Sequence, residues 1–197
     1  MNFLAHIYLS GDDDEIMIGN FIGDFVKGRK FEEYAPKISL GIQLHRAIDT
    51  FTDAHEIVKK SKARIRPFYG KYAGVTIDMF YDYFLATKWS QYHSLPLDKF
   101  SQKVYQTLQN QKTVLPLEVQ QFLPYMIHQD WLGRYTSFQG LQQSLKGIDR
   151  RTNFKAGISD AIVYLKKFFR DFEKDYEFFF PEIQFFTKNF IEKNNFF

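Results

Sequence analysis

The sequence predicts an all-α protein, a single-domain helical bundle over residues 1–197. Apolar residues recur at steps of three and four almost throughout, which is the period of a helix. Alternating segments bounded by turn dipeptides, the mark of strands and hairpins, are hard to find. The chain is 45% hydrophobic and 19% aromatic, with 23 Phe and 12 Tyr, so it has ample material for a core, and its length suits one domain rather than two.

A first short helix covers about Phe3 to Leu9. The acidic run Asp12-Asp13-Asp14-Glu15 suits the positive end of a second, from about Asp14 to Val26, with Gly28 just after it. Pro36 suits the first turn of a third helix, whose Ile38, Ile42, Leu44, Ala47 and Ile48 fall at helical spacing and which ends near Thr52. Asp53-Ala54-His55-Glu56 reads as an N-cap with its reciprocal carboxylate, opening a helix that Pro67 and Gly70 stop. Further helices run from about Val75 to Trp89, Leu97 to Gln109, Leu117 to Asp130, Tyr135 to Leu145 and Ser159 to Phe179. The stretch from Phe168 to Phe197 holds 11 of the 23 Phe, as expected of a terminal helix that packs its apolar face across the others.

Composition excludes several classes of function. With 26 Lys+Arg against 23 Asp+Glu the net charge is +3, far from a polycation. The chain has no cysteine, which removes disulfides, thiol catalysis, iron–sulfur clusters and cysteine-based zinc sites. Any metal must sit on His, Asp and Glu. The amino terminus lacks a basic start before its apolar stretch, and no apolar run approaches the roughly 20 residues that span a bilayer, so a soluble, cytoplasmic protein with no membrane insertion is expected.

The polar residues suited to metal are gathered early: His6, Asp24, His45, Asp49, Asp53, His55, Asp78 and Asp82 lie in apolar sequence within the first 82 residues. His45 and Asp49 are four apart, so on a helix they sit about 40° from each other and both reach one ion. Asp78 and Asp82 share that spacing in a very apolar segment, and Asn20 and Asp24 repeat it. Helical proteins build carboxylate-and-histidine metal sites in this way, and several carboxylates without sulfur favour Mn²⁺ or Mg²⁺, with Fe²⁺ and Zn²⁺ as alternatives. Each residue also has a plainer reading. His6 and His128 would serve as satisfied core or capping histidines, Asp82 would pair with a buried base such as Arg46, Asp53 would cap a helix, and His55 and His93 would face solvent or backbone.

Basic residues cluster too. Lys27 and Arg29 follow the second helix, and Lys59, Lys60, Lys62, Arg64, Arg66 and Lys71 form a run with no acid among them. A solvated helix face is the ordinary meaning of such a run, and an anionic partner is the alternative. Nucleic acid is not expected, because there is no aromatic RNA-binding motif, Cys/His finger or recognition helix.

At these residues the sequence resembles the bacterial acyl carrier protein phosphodiesterase family. The matching pieces are residues 1–6 (MNFLAH), 19–28 (GNFIGDFVKG), 41–53 (GIQLHRAIDTFTD), Asp78 to Leu85 with Trp89, and Trp131-Leu132-Gly133-Arg134-Tyr135, in order over most of the chain. The resemblance implies an HD-domain-like helical hydrolase that uses a divalent metal to remove 4′-phosphopantetheine from holo acyl carrier protein. Carried over by position, His6, Asp24, His45, Asp49, Asp78 and Asp82 become the candidates for metal ligation and water activation. Asp49 or Asp82 would hold the attacking water or protonate the leaving oxygen, and Arg46 or Lys27 would clamp phosphate oxygens. The run from Lys59 to Arg66, with Lys27 and Arg29, would steer a small acidic carrier protein. Two features depart from the pattern: the chain has no adjacent His-Asp pair, the signature of ordinary HD domains, and Tyr83 stands where other members often have His. Two other functions compete: an HD-like phosphohydrolase of nucleotides or other small phosphate esters, and a non-catalytic helical adaptor.

Overall fold

The computed structural model describes residues 1–153 and 155–194, and among these it contains helices and turns but no strand. Asn2 caps α1 (Phe3–Tyr8) by accepting from the Phe3 amide. A helix of 6 residues cannot hold itself in water, and α1 persists by burying Leu4, Ala5, His6 and Ile7. Asp13 caps α2 (Asp14–Ile22), its carboxylate accepting from the amides of Glu15 and Ile16. Where the sequence pattern continues this helix to Val26, the structure tightens into a 3₁₀ turn at Gly23–Phe25.

α3 (Pro36–Ala54) lies against α2 at backbone contact. A Cβ on Gly19 would stand 2.0 Å from the Ile38 carbonyl oxygen, and one on Gly41 would stand 2.1 Å from that of Ile16, so only glycine permits this crossing. The close approach brings Asn20 and Asp24 up to the face of α3 that carries His45 and Asp49.

The N-cap expected at Asp53 is corrected by the structure. α3 runs on through Ala54, and His55 caps α4 (Glu56–Tyr69) with Nδ1 accepting from the Ile57 amide. Asp53 occupies the last turn of α3 and pairs with Lys62. Pro67 is accommodated inside α4, and Gly70, at φ 52°, ends it.

α5 (Ala73–Thr87) is the spine of the core: every residue from Met79 to Ala86 is buried, which is why its sequence is apolar all round and not on one stripe. α6 (Leu97–Asn110), α7 (Leu117–His128), α8 (Phe138–Arg151) and α9 (Ile162–Lys167) follow, and of these α8 packs directly on α5. Tyr135, expected to open a helix, belongs instead to a 3₁₀ turn at Gly133–Thr136. The single helix expected from Ser159 to Phe179 is broken at Phe168, and α10 (Phe169–Asn194) extends well past Phe179. Pro181 removes one backbone bond within α10, but buried Phe179, Phe180 and Ile183 on either side hold the helix through it.

α10 crosses α3, α4 and α5 and buries Phe172, Tyr176, Phe179 and Phe180, the apolar face that the Phe bias predicts. Phe178 and Phe185 are exposed, and Phe196 and Phe197 lie outside the described residues. The buried side chains form one continuous cluster from Met1 to Ile183. Among the described residues, no helix is long and apolar enough to cross a membrane.

Candidate metal centre

His45 and Asp49, one turn apart on α3, face His6 from α1, and Asp24 reaches in from the turn after α2. His6 Nε2 is 3.2 Å from Asp49 Oδ1. His45 Nε2 is 3.3 Å from Asp49 Oδ2 and 3.3 Å from Asp24 Oδ1. The imidazoles stack with centroids 3.9 Å apart, and His6, His45 and Asp49 each turn a ligand atom toward the others, all within 4.8 Å.

Asn20, fully buried on α2, orients both rings. Its side-chain Oδ1 is 2.9 Å from His6 Nδ1, and its backbone oxygen is 2.7 Å from His45 Nδ1. A carbonyl oxygen only accepts, so each Nδ1 donates, and in the neutral ring each Nε2 then keeps a lone pair aimed at the carboxylates. The Asn20 amide group is fixed in turn, because Nδ2 donates to the His6 carbonyl at 2.7 Å and to Ser10 Oγ at 2.9 Å.

Two Nε2 atoms and two carboxylates converging on one point call for positive charge, which a proton on His45 supplies and which a bound cation would supply in its place. His45 Nε2 is buried and makes no hydrogen bond. Burial alone would lower the His45 pKa, yet Asp24 and Asp49 outweigh it and raise the value to about 9. Burial, with the neighbouring His45, lowers His6 to about 4. Asp49 would be raised by burial, but the two imidazoles and the Met1 ammonium hold it far below the usual carboxylate range; contact with His45 likewise lowers Asp24. Two imidazole nitrogens with carboxylate oxygens are a donor set that fits a divalent ion, and Nδ1–H bonds to carbonyls are the outer contacts that orient metal-binding histidines. The imidazole side chains are 4% and 6% exposed, whereas Asp49 at 42% and Asp24 at 71% open the cluster to solvent.

A profile of the acyl carrier protein phosphodiesterase family matches residues 1–183. The chain belongs to this family. Among its relatives, the acyl carrier protein phosphodiesterase of Klebsiella pneumoniae (strain 342) is 31% identical over 193 residues, 96% of this chain and 98% of that protein. Those of Escherichia coli O6:H1 and Yersinia pestis are 30% and 29% identical, covering 93% and 92% of this chain and 95% and 94% of their own. No solved structure matches the chain. Membership in this phosphodiesterase family makes the protein a hydrolase of phosphoric diesters.

The structure gathers His6, Asp24, His45 and Asp49 and gives the other expected residues different tasks. Asp49, expected to reach an ion or to hold water, stands between both Nε2 atoms. Asp82, expected at the metal, is fully buried and accepts from the amides of Leu4 at 2.9 Å and Ala5 at 3.3 Å, so it caps α1; burial raises its pKa to about 7. Asp78 lies beside the cluster, 3.2 Å from the α-ammonium of Met1, which is also 3.7 Å from Asp49. Arg46 neither clamps the cluster nor pairs with Asp82: it donates to the Val26 carbonyl at 2.7 Å and lies over Phe31, bracing the loop after α2. Lys27 donates to the Asp24 backbone carbonyl, at the mouth, and Arg29 pairs with Glu32.

The basic run of α4 is not uncompensated. Lys59 pairs with Glu56, Lys62 with Asp53, and Lys60 and Arg64 with Asp175 of α10. Asp175 is far along the chain, so no local pattern could reveal it. Arg66 is exposed near the end of α4. His55 bonds Glu182, and His93 bonds the 95 backbone. Two contributors had no assigned role in the sequence reading. Asn20 had the four-residue offset as a signal, whereas the Met1 ammonium had none.

Proposed function

We propose that the protein is a cytoplasmic, metal-dependent phosphodiesterase that hydrolyses the diester joining 4′-phosphopantetheine to a serine of holo acyl carrier protein, leaving apo carrier. Family membership supports the substrate, and the convergence of His6 Nε2, His45 Nε2 and Asp49 beside exposed Asp24 carries the chemistry. His6, His45 and Asp49 would hold the ion, with Asp24 completing the set or accepting a hydrogen bond from the attacking water. Two imidazoles among the ligands favour Mn²⁺ or Fe²⁺ over Mg²⁺, and Mn²⁺ is our first choice. When bound, such an ion neutralises phosphate charge and lowers the pKa of water. Asn20 keeps both imidazoles in the ligating tautomer. Asp24, ionised and at the mouth, orients a water against phosphorus. Water then adds to phosphorus as the bond to the serine oxygen breaks, and the proton given up by water is balanced by the one the serine takes.

Incubation of holo carrier with the protein and Mn²⁺, read by mass spectrometry, should show loss of the phosphopantetheine group. Asp24→Ala and His45→Ala should abolish that loss while circular dichroism stays helical. An intact holo carrier with Mn²⁺, Fe²⁺ and Mg²⁺ alike would refute the function, and full cleavage by either variant would refute the site.

A further inference from the structure

Beside the metal centre lies a pocket of about 250 Å³, walled by Asn2 and Phe3, the segment around Trp131 and Arg134, and α8. The segment is the Trp131-Leu132-Gly133-Arg134-Tyr135 motif, to which the reaction assigns nothing. Arg134, Arg150 and Arg151 all line the pocket. Among the described residues none of them is ion-paired. Arg134 reaches the Gln129 side chain at 3.1 Å, Arg150 a backbone carbonyl at 3.4 Å, and Arg151 lies over the Trp131 ring at 5.9 Å. The contrast with α4 is direct, since Lys59, Lys60, Lys62 and Arg64 already have carboxylates of this chain.

We propose that this arginine pocket, and not the basic face of α4, receives carboxylates from the surface of the carrier protein next to its modified serine. This rests on the substrate reading above. Guanidinium forks pair with carboxylates in bidentate fashion, and a cation–π contact with Trp131 uses none of the Arg151 donors. The pantetheine arm beyond its phosphate is neutral, so unpaired guanidinium groups discriminate nothing in it. Position agrees with charge. Asn2 forms a wall of the pocket and donates to Tyr135 Oη at 2.9 Å, while the ammonium of the preceding residue touches Asp78 and Asp49. A carrier whose diester sits at the metal centre therefore lays the flanking protein surface over the pocket.

The test compares the wild type, an Arg134→Glu/Arg150→Glu/Arg151→Glu variant and a Lys59→Glu/Lys60→Glu/Lys62→Glu variant, with melting temperature and Mn²⁺ binding checked for each. The arginine variant should raise KM for holo carrier at least about tenfold and change kcat less than about threefold, and should weaken binding of apo carrier in parallel. The lysine variant should change KM by less than about threefold. An unchanged KM in the arginine variant, or a larger effect in the lysine variant, overturns the proposal. Loss of holo binding with apo binding intact assigns the pocket to the arm and overturns it too. A wild type that leaves holo carrier intact refutes the substrate reading first and removes the proposal with it.

Discussion

Asn20 offers the sharpest separation of architecture from chemistry. Asn20→Ala deletes an acceptor for His6 Nδ1 and donors to the His6 carbonyl and to Ser10 Oγ, all within the buried interior. At about 1 kcal/mol for each lost bond, with a further penalty for groups left buried and unpaired, the cost to stability is about 3–5 kcal/mol. The His45 bond survives because it uses the Asn20 backbone oxygen. Mn²⁺ affinity should nevertheless fall about 10- to 100-fold, since His6 loses the contact that fixes its tautomer. Asn20→Asp dissects the two roles: it keeps an acceptor for His6 Nδ1 but puts a carboxylate where donors are needed, so it should retain Mn²⁺ affinity while losing stability. Urea unfolding and isothermal titration with Mn²⁺ read the two quantities separately. If both variants lost stability and neither lost affinity, Asn20 would be a scaffold residue only, and the orientation argument would be wrong.

Other consequences follow from the same geometry. A Cβ at Gly23 would stand 2.2 Å from His45 Cγ, so Gly23→Ala should displace that ring and weaken Mn²⁺ binding, whereas Gly19→Ala, meeting backbone at 2.0 Å, should chiefly lower the melting temperature. Asp82→Asn should cost about 1–3 kcal/mol in urea unfolding, because one oxygen that accepts from α1 becomes a donor, while the Mn²⁺ stoichiometry stays that of the wild type; a lost ion would restore Asp82 as a ligand. Asp13→Ala removes the cap of α2 and should cost about 1 kcal/mol near neutral pH. The capping amides and Lys37 hold the Asp13 carboxyl below its ordinary value against the opposing effect of burial. Its contribution is therefore present above the unfolded carboxyl pKa and lost as pH falls through the lower folded value, so wild type and variant should converge in strong acid.

The helical class and most elements were legible because an apolar face repeats at the helical period whatever it packs against. His45 and Asp49 were legible for the same reason. Identical spacing said less at Asp78 and Asp82: an offset of four says that two side chains share a face, not what each one meets, and here Asp82 meets the amides of α1 while Asp78 meets the Met1 ammonium. The basic run misled through distance along the chain, since Asp175 belongs to α10. His6, alone on a short apolar helix, carried no spacing signal; its place among the early polar residues and the resemblance pointed to it. The break at Phe168 and the passage through Pro181 are decided by tertiary packing, which outweighs local propensity.

The dependence of α1 on its surroundings has a further result. This single turn and a half of helix hangs on Asp82 from α5 and Asn20 from α2, and it carries one of the imidazoles. An ion shared by His6 and His45 would staple the front of the chain to α3 and close a long loop between them. Removing the ion should therefore unfasten the first turns before it melts the bundle, with faster amide exchange at Leu4 to Ile7 while α5 stays protected. With an ion as the staple, readiness to hydrolyse and the seating of the first helix would be one equilibrium.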